Sequence, residues 1–314
     1  MNHRSNMDYI LVSFLASRRT TLSYAVGEWA RIWPLQGLIK SMGAFFVRRD
    51  SRNALYRRVL ECYISMATKE GVCQAMFPEG GLSKDGKLRP PKLGLLDYML
   101  RNFDHKSDRD ILFIPVGINY DRTLEDRTLL RSLDPEAKNQ GNWFAIRTTM
   151  KFWLNNIQLK WRHRLKNFGF AAVNFGTPIS AAEFSKQTEI NFSTLEKEQR
   201  FIHVQEFSNK LFGAVGEVVP VLPLSTVCRV FQQNPSQSFN LQQLKLQASS
   251  LIEQCSNKGA IDFINKSQLD EAFNEAIEML MIRHLIAEKD GLFTVAPQQQ
   301  QIVEYYANSI AHWF

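Results

Sequence analysis

No apolar run in this 314-residue sequence approaches the ~18–20 residues needed to cross a bilayer. The early stretch YILVSFLAS (9–17) is too short and has no basic segment before it, so it does not read as a convincing secretory signal. Cysteine is sparse. Cys62, Cys73, Cys228 and Cys255 lie far apart with no C-x-x-C, a usage that suits a reducing compartment and gives no metal signature. Internal repeats are absent, and the QQQQ run at 298–301 is too short to bias the chain. These absences predict a cytoplasmic protein, at most one lying on a membrane surface.

Acidic residues are also scarce, but only in one part. Residues 1–185 hold 28 Lys and Arg against 17 Asp and Glu, a net +11, whereas residues 186–314 hold 10 against 14, a net −4. A basic first part points to an anionic partner, whether phosphate, lipid surface or nucleic acid. Nucleic acid fits poorly. The segment 262–295 could pass for a winged helix, yet its helix carries Asp270, Glu271, Glu275 and Glu278, the wrong sign against phosphates.

What is present is enough apolar sequence, 45%, to bury a sizeable core. Residues 9–15 (YILVSFL) are ambiguous between strand and helix, and 22–40 reads as a helix or helix pair broken near Pro34. GAFFVRR (43–49) reads as a buried strand. Residues 50–71 form the clearest helix, with Asp50 or Ser51 as cap, Leu55, Val59, Tyr63 and Ala67 repeating at i+4, and Gly71 as its stop. CQAMFPEGG (73–81) is a strand entering a turn, 93–103 a helix, and 110–121 and 168–179 are strands. The alternation predicts an α/β fold: a layered domain with a central mixed sheet flanked by helices over 1–185. A mainly helical region is expected over 186–314, with a hairpin turn at Asp290-Gly291.

Three stretches carry chemistry. His3 and Asp8 are five positions apart, which on a straight helix points them about 140° from each other. At a turn they can meet, and the aspartate can then hold one ring nitrogen as N–H while the other accepts a proton. Spacing alone proves nothing, since His105 and Asp110 repeat it within HKSDRD. The second stretch, FPEGGLSKDGKLRPPKLG (77–94), brings glycine backbone beside Lys84, Lys87, Arg89 and Lys92, a composition suited to phosphate. Arg48 and Arg49 end an apolar strand and suit bidentate phosphate contact.

In order and separation, NHRSNMDY, GAFFVRR, FPEGGLS and IPVGINY resemble the four blocks of the glycerolipid acyltransferase superfamily, most closely its bacterial glycerol-3-phosphate acyltransferases. The resemblance covers about 1–180, and VEYYANSIAHWF is similar to the tail of the same branch. It implies His3 as general base for the sn-1 hydroxyl, Asp8 as its orienting partner, and direct attack on the thioester of acyl-CoA or acyl-carrier protein. It further implies a glycerol phosphate pocket from Arg48, Arg49, Glu79, Gly80, Gly81 and Ser83, with Lys84 and Lys92 as candidate additions. Pro115 belongs to the fourth block, and no metal or redox cofactor is implied.

Two departures stand out. Leu82 occupies the place where the third block commonly has arginine. Only Met1 and Asn2 precede His3, where the family has a strand and a longer segment, so the resemblance implies a truncated start and weakened activity. The rival acceptors are lysophosphatidate and dihydroxyacetone phosphate. Arg48 tilts the reading to glycerol phosphate, because lysophosphatidate enzymes tend to have an acidic or amide residue there. A catalytically decayed lipid-surface protein is the remaining alternative. Residues 151–169 mix Trp153 and Trp161 with five cations and suggest peripheral attachment on the cytoplasmic side of a membrane.

Overall fold

The computed structural model describes residues 1–27, 35–41, 43–48, 53–133, 169–261 and 263–314. In chain order these form α1 (Asp8–Ala16), β1 (Ser23–Gly27), α2 (Leu35–Ser41), β2 (Ala44–Val47), α3 (Ala54–Lys69), β3 (Gln74–Ala75) and α4 (Gly94–Leu100). Next come β4 (Leu112–Phe113), β5 (Val116–Tyr120), α5 (Asp126–Arg131), β6 (Ala171–Phe175), β7 (Ile179–Ser180), α6 (Ala181–Gln187) and α7 (Lys197–Glu217). The chain finishes with α8 (Pro223–Gln233), β8 (Phe239–Asn240), α9 (Leu241–Asn257), α10 (Leu269–Ile282), β9 (Ile286–Lys289), β10 (Leu292–Val295) and α11 (Gln300–Ala307). The mixed α/β class expected from the sequence is the one found. Its strands lie in short ladders: parallel β2-β1-β3, antiparallel β4-β7, the pair β5-β6, and antiparallel β8-β10-β9.

Several local expectations are corrected. Residues 23–27, read as helix, are a strand. Tyr24 and Val26 bury against Ala44 from the parallel neighbour, and a five-residue strand is too short for its period to be told from that of a buried helix segment. The stretch 9–15 resolves as helix. The helix over 50–71 begins later, at Ala54, with the Asn53 side chain accepting the Tyr56 N–H at 3.0 Å. Gly71 stops it as expected, at φ +74°, while the Val72 N–H returns to the Ala67 carbonyl. Its i+4 apolar row does not face the core: Leu55, Val59 and Tyr63 are exposed, and Ile64 is the buried residue. The strand over 110–121 is split at Pro115, which has no N–H for a ladder. The aromatic and basic stretch from 151 and Arg49 lie outside the described residues.

The described chain divides into two compact units whose segments alternate along the sequence. The first comprises the described parts of Met1–Gly81, Pro90–Gly117 and Phe175–Val218; the second those of Leu82–Arg89, Ile118–Asn174 and Val219–Phe314. In the first unit, Leu100, Phe184, Phe192 and Phe207 form a buried cluster, each aromatic worth about 3–5 kcal/mol against alanine. Glu61 of α3 pairs with Arg101, which also binds Asp97 of α4, and Asp97 meets Arg200 of α7 at 3.0 Å. In the second unit, α8 is almost wholly buried among α9, α10 and α11. Its hairpin turns at Asp290 and Gly291, both at positive φ (53° and 75°), the combination a two-residue primed turn demands.

Candidate active site

Asp8 opens α1, where the helix N-terminus favours a carboxylate. It is fully buried. Its Oδ2 accepts the backbone N–H groups of Arg4 at 2.7 Å and Ser5 at 3.0 Å and meets His3 Nδ1 at 2.9 Å. The turn over residues 3–7 thus closes what a straight helix would hold apart. With two backbone donors already on Oδ2, the carboxylate fixes Nδ1 as the protonated ring nitrogen. Nε2 has no partner among the described residues, and the side chain keeps 12% exposure. The imidazole is free on one edge only.

Two residues of the third block complete its mounting. The Glu79 Oε1 accepts the His3 backbone N–H at 2.9 Å, and the Phe77 ring stacks on the imidazole at 3.9 Å between centroids and 21° between planes. Glu79 is itself 5% exposed, so its carboxylate is part of the mounting. Gly80 turns the chain at φ +66°, and Lys92 lies across it: a Cβ on Gly80 would sit 2.8 Å from the lysine Cδ. The Lys92 N–H donates to the Pro78 carbonyl at 2.8 Å. Gly81 completes this turn, which ends the first stretch of the first unit. Arg48 is exposed, its N–H donating to the Tyr56 hydroxyl and its guanidinium standing 5.8 Å over that ring.

Ser83 and Lys84 belong to the second unit. The Ser83 hydroxyl is buried and donates to the Lys87 carbonyl at 2.7 Å, closing its own loop. Gly86 is obligatory there, since a Cβ would fall 2.0 Å from the Tyr305 carbonyl oxygen. Leu82, at the place of the family's arginine, packs against the second unit's core. The duplicate pair behaves differently again. Asp110 accepts the Ser180 hydroxyl at 2.6 Å and the Ala182 N–H at 2.9 Å, holding the start of α6, and His105 has no bond at Nδ1.

Within the first unit lies a cavity of about 720 Å³, a ligand-sized volume. Its walls come from Val12, Thr68, Leu96, Met99, Leu211 and Val215, with Pro115 of the fourth block among them. Pro78, between the two residues that mount His3, also lines it. Sequence reasoning missed the roles of Phe77 and Glu79, though both lie inside a quoted block, and it missed the cavity altogether. Its walls come from segments spread over two hundred residues, and no spacing marks them. Among the described residues there is no group of three or more His, Cys, Asp or Glu able to hold a metal, and no helix long and apolar enough to cross a membrane.

A mixed α/β unit whose buried aspartate steers a histidine beside a glycine turn defines an acyltransferase class, and the family model described as Acyltransferase matches residues 1–119. A second, described as Glycerol-3-phosphate acyltransferase C-terminal region, matches residues 157–314. The chain belongs to the glycerol-3-phosphate acyltransferase family. It is similar to proteins named glycerol-3-phosphate acyltransferase from Pseudomonas syringae pv. syringae (31% identical, covering 99% of this chain and 38% of the relative) and Pseudoalteromonas atlantica (25%, with the same two coverages). One from Pseudomonas fluorescens is 36% identical over 68% of this chain and 25% of its own length. The chain thus spans about 38% of the length of the longest-matching curated relatives.

Proposed function

We propose that this chain is a glycerol-3-phosphate 1-O-acyltransferase. It moves a fatty acyl group from acyl-CoA or acyl-carrier protein to the sn-1 hydroxyl, an entry step to phosphatidate. The single observation that carries the reading is His3, held at Nδ1 by buried Asp8 and left without a described partner at Nε2. Nε2 takes the hydroxyl proton as the oxygen attacks the thioester carbonyl. The C–S bond then breaks, and the imidazolium returns its proton to the leaving thiolate. The acceptor supplies the nucleophile, so no acyl-enzyme forms.

Gly80, Gly81 and Lys92 support phosphate binding by unobstructed backbone and a cation drawn over the turn. Arg48 joins them as an exposed cation on the same unit. Arg49, Ser83 and Lys84 enter from the family resemblance alone, and Glu79 enters as a residue that mounts His3. The mostly apolar cavity supports the fatty acyl chain, with Pro115 in its wall. A membrane surface is the destination of the product, which is a lipid.

The test is transfer from labelled acyl-CoA and acyl-carrier protein to glycerol 3-phosphate, lysophosphatidate and dihydroxyacetone phosphate, measured side by side. Glycerol 3-phosphate should be acylated at the primary sn-1 position. Preference for either other acceptor corrects the substrate, and no transfer from either donor overturns the reading.

A further inference from the structure

We propose that Asn308 is a positioning residue for the cation-bearing loop over 82–89: from the 3-10 turn Asn308–Trp313 that follows α11, it clamps the loop and so sets the affinity for the acceptor's phosphate. The identity of that ligand rests on the proposed function. The clamp itself stands on contacts within the second unit.

The loop holds Lys84, Lys87 and Arg89 within a short span, Lys87 exposed and the other two half-buried. Cations this close repel one another, and a loop free to move loses affinity to the entropy of ordering them around one anion. Its internal bonds fold it on itself: the Ser83 hydroxyl donates to the Lys87 carbonyl at 2.7 Å, and Asp85 Oδ1 accepts the Lys87 N–H at 3.2 Å. The Asp85 carbonyl is turned outward from that fold. It accepts the Asn308 Nδ2 at 2.8 Å, a bond across 223 positions.

Asn308 is buried, and both ends of its amide are engaged. A backbone carbonyl can only accept, so the nitrogen faces Asp85; the oxygen then accepts the Gln232 Nε2 of α8 at 3.0 Å, which fixes the amide's orientation. The turn that carries it is fastened as well. Ser309 Oγ lies 2.9 Å from Ser225 Oγ and accepts the Asn119 Nδ2 at 3.2 Å. Backbone packing closes the other side of the clamp. Gly86, at φ +87°, lies so near Tyr305 that a Cβ would fall 2.0 Å from the tyrosine carbonyl oxygen and 3.3 Å from the Asn308 Cβ. The amide thus acts through the loop and not on the reacting atoms.

The experiment compares Asn308→Asp, Gly86→Ala and Phe239→Leu with the unchanged chain. Asn308→Asp keeps the shape and the acceptor for Gln232 but faces the Asp85 carbonyl with an oxygen. Gly86→Ala pushes the loop off Tyr305 by a different route. Phe239→Leu loosens the second unit's core away from the loop. Circular dichroism and melting midpoints show which variants are folded at the assay temperature. Trypsin should cut after Lys84 and Lys87 about tenfold faster in the first two variants, and not in the third. The KM for glycerol 3-phosphate, and its dissociation constant by calorimetry, should rise about fivefold in Asn308→Asp, with kcat and the KM for the acyl donor little changed. Phe239→Leu should lower the melting midpoint and leave all of these constants in place.

Unchanged tryptic cutting in the folded Asn308→Asp chain overturns the clamp. Faster cutting with unmoved glycerol 3-phosphate constants also overturns the inference, by separating the loop from the ligand. An equal rise of those constants in Phe239→Leu overturns it too, since any loosening of the unit would then suffice. If the unchanged chain transfers no acyl group, yet its calorimetric affinity for glycerol 3-phosphate falls with Asn308→Asp, the proposed function sinks alone. Acyl transfer whose KM ignores both loop variants sinks the clamp alone.

Discussion

Two segments of this chain carry a histidine and an aspartate at the same spacing, and they come to different ends. In residues 3–8 the acid is fully buried and its Oδ2 meets two backbone donors as well as the ring. In residues 105–110 the acid is exposed and spends both oxygens on the start of α6. A carboxylate can steer an imidazole only when the turn between them returns the chain, and at Asp8 the backbone donors of that same turn hold the acid facing the ring. The spacing permits the pair; the surrounding donors decide it.

The comparison is broken most directly at the histidines. His3→Ala should lower acyl transfer by about 10³-fold or more, whereas His105→Ala should leave it unchanged. Equal losses would show that the duplicate also works. The aspartates sharpen the contrast at the next size down. Asp8→Ala should cost about 10²-fold in kcat and lower the melting midpoint, because buried N–H groups at Arg4 and Ser5 lose their acceptor, about 1–3 kcal/mol each. Asp110→Ala should cost only about 1 kcal/mol, the loss of a helix-start contact, with kcat intact. Steady-state kinetics and thermal melts on the four variants read both effects.

A third aspartate extends the series to the smallest effect. Asp121, in the second unit, accepts the Phe170 N–H at 2.9 Å through Oδ2 and has no bond at Oδ1. Burial pushes its carboxyl up from 3.8 to about 7, against the Phe170 bond and with help from the Glu275 charge. A carboxyl raised on folding binds its proton more tightly in the native state. Its stabilisation is therefore full below 3.8 and is lost as pH rises toward about 7. Melting midpoints should fall by a few degrees between roughly pH 4 and pH 7, and Asp121→Asn should flatten that part of the profile. An unchanged slope would show that another group titrates.

Legibility followed how local each signal was. The helix over 54–69 could be read from its apolar period and from Gly71, because both are properties of a single segment. Its cap was misplaced, since Asp50, Ser51 and Asn53 are all good caps and only the bond to Tyr56 chooses between them. Which face is buried also escaped, because Leu55, Val59 and Tyr63 look like a core row until α4 is seen to pack on another side. Strand β1 was lost because a buried parallel strand and a buried helix share a composition. At the site, His3, Asp8 and the glycine turn were legible through four blocks in order. The Glu79 bond to the His3 backbone was not, being a contact across 76 positions.

The ring stacked on His3 bears on the moment after proton transfer. In the proposed reaction Nε2 accepts a proton and the imidazole becomes a cation, for which the π face of Phe77 at 3.9 Å is an attractive neighbour as well as a wall. In the proposed transfer, phenylalanine at that position therefore gives the imidazolium a ring face that an aliphatic residue of similar bulk would lack.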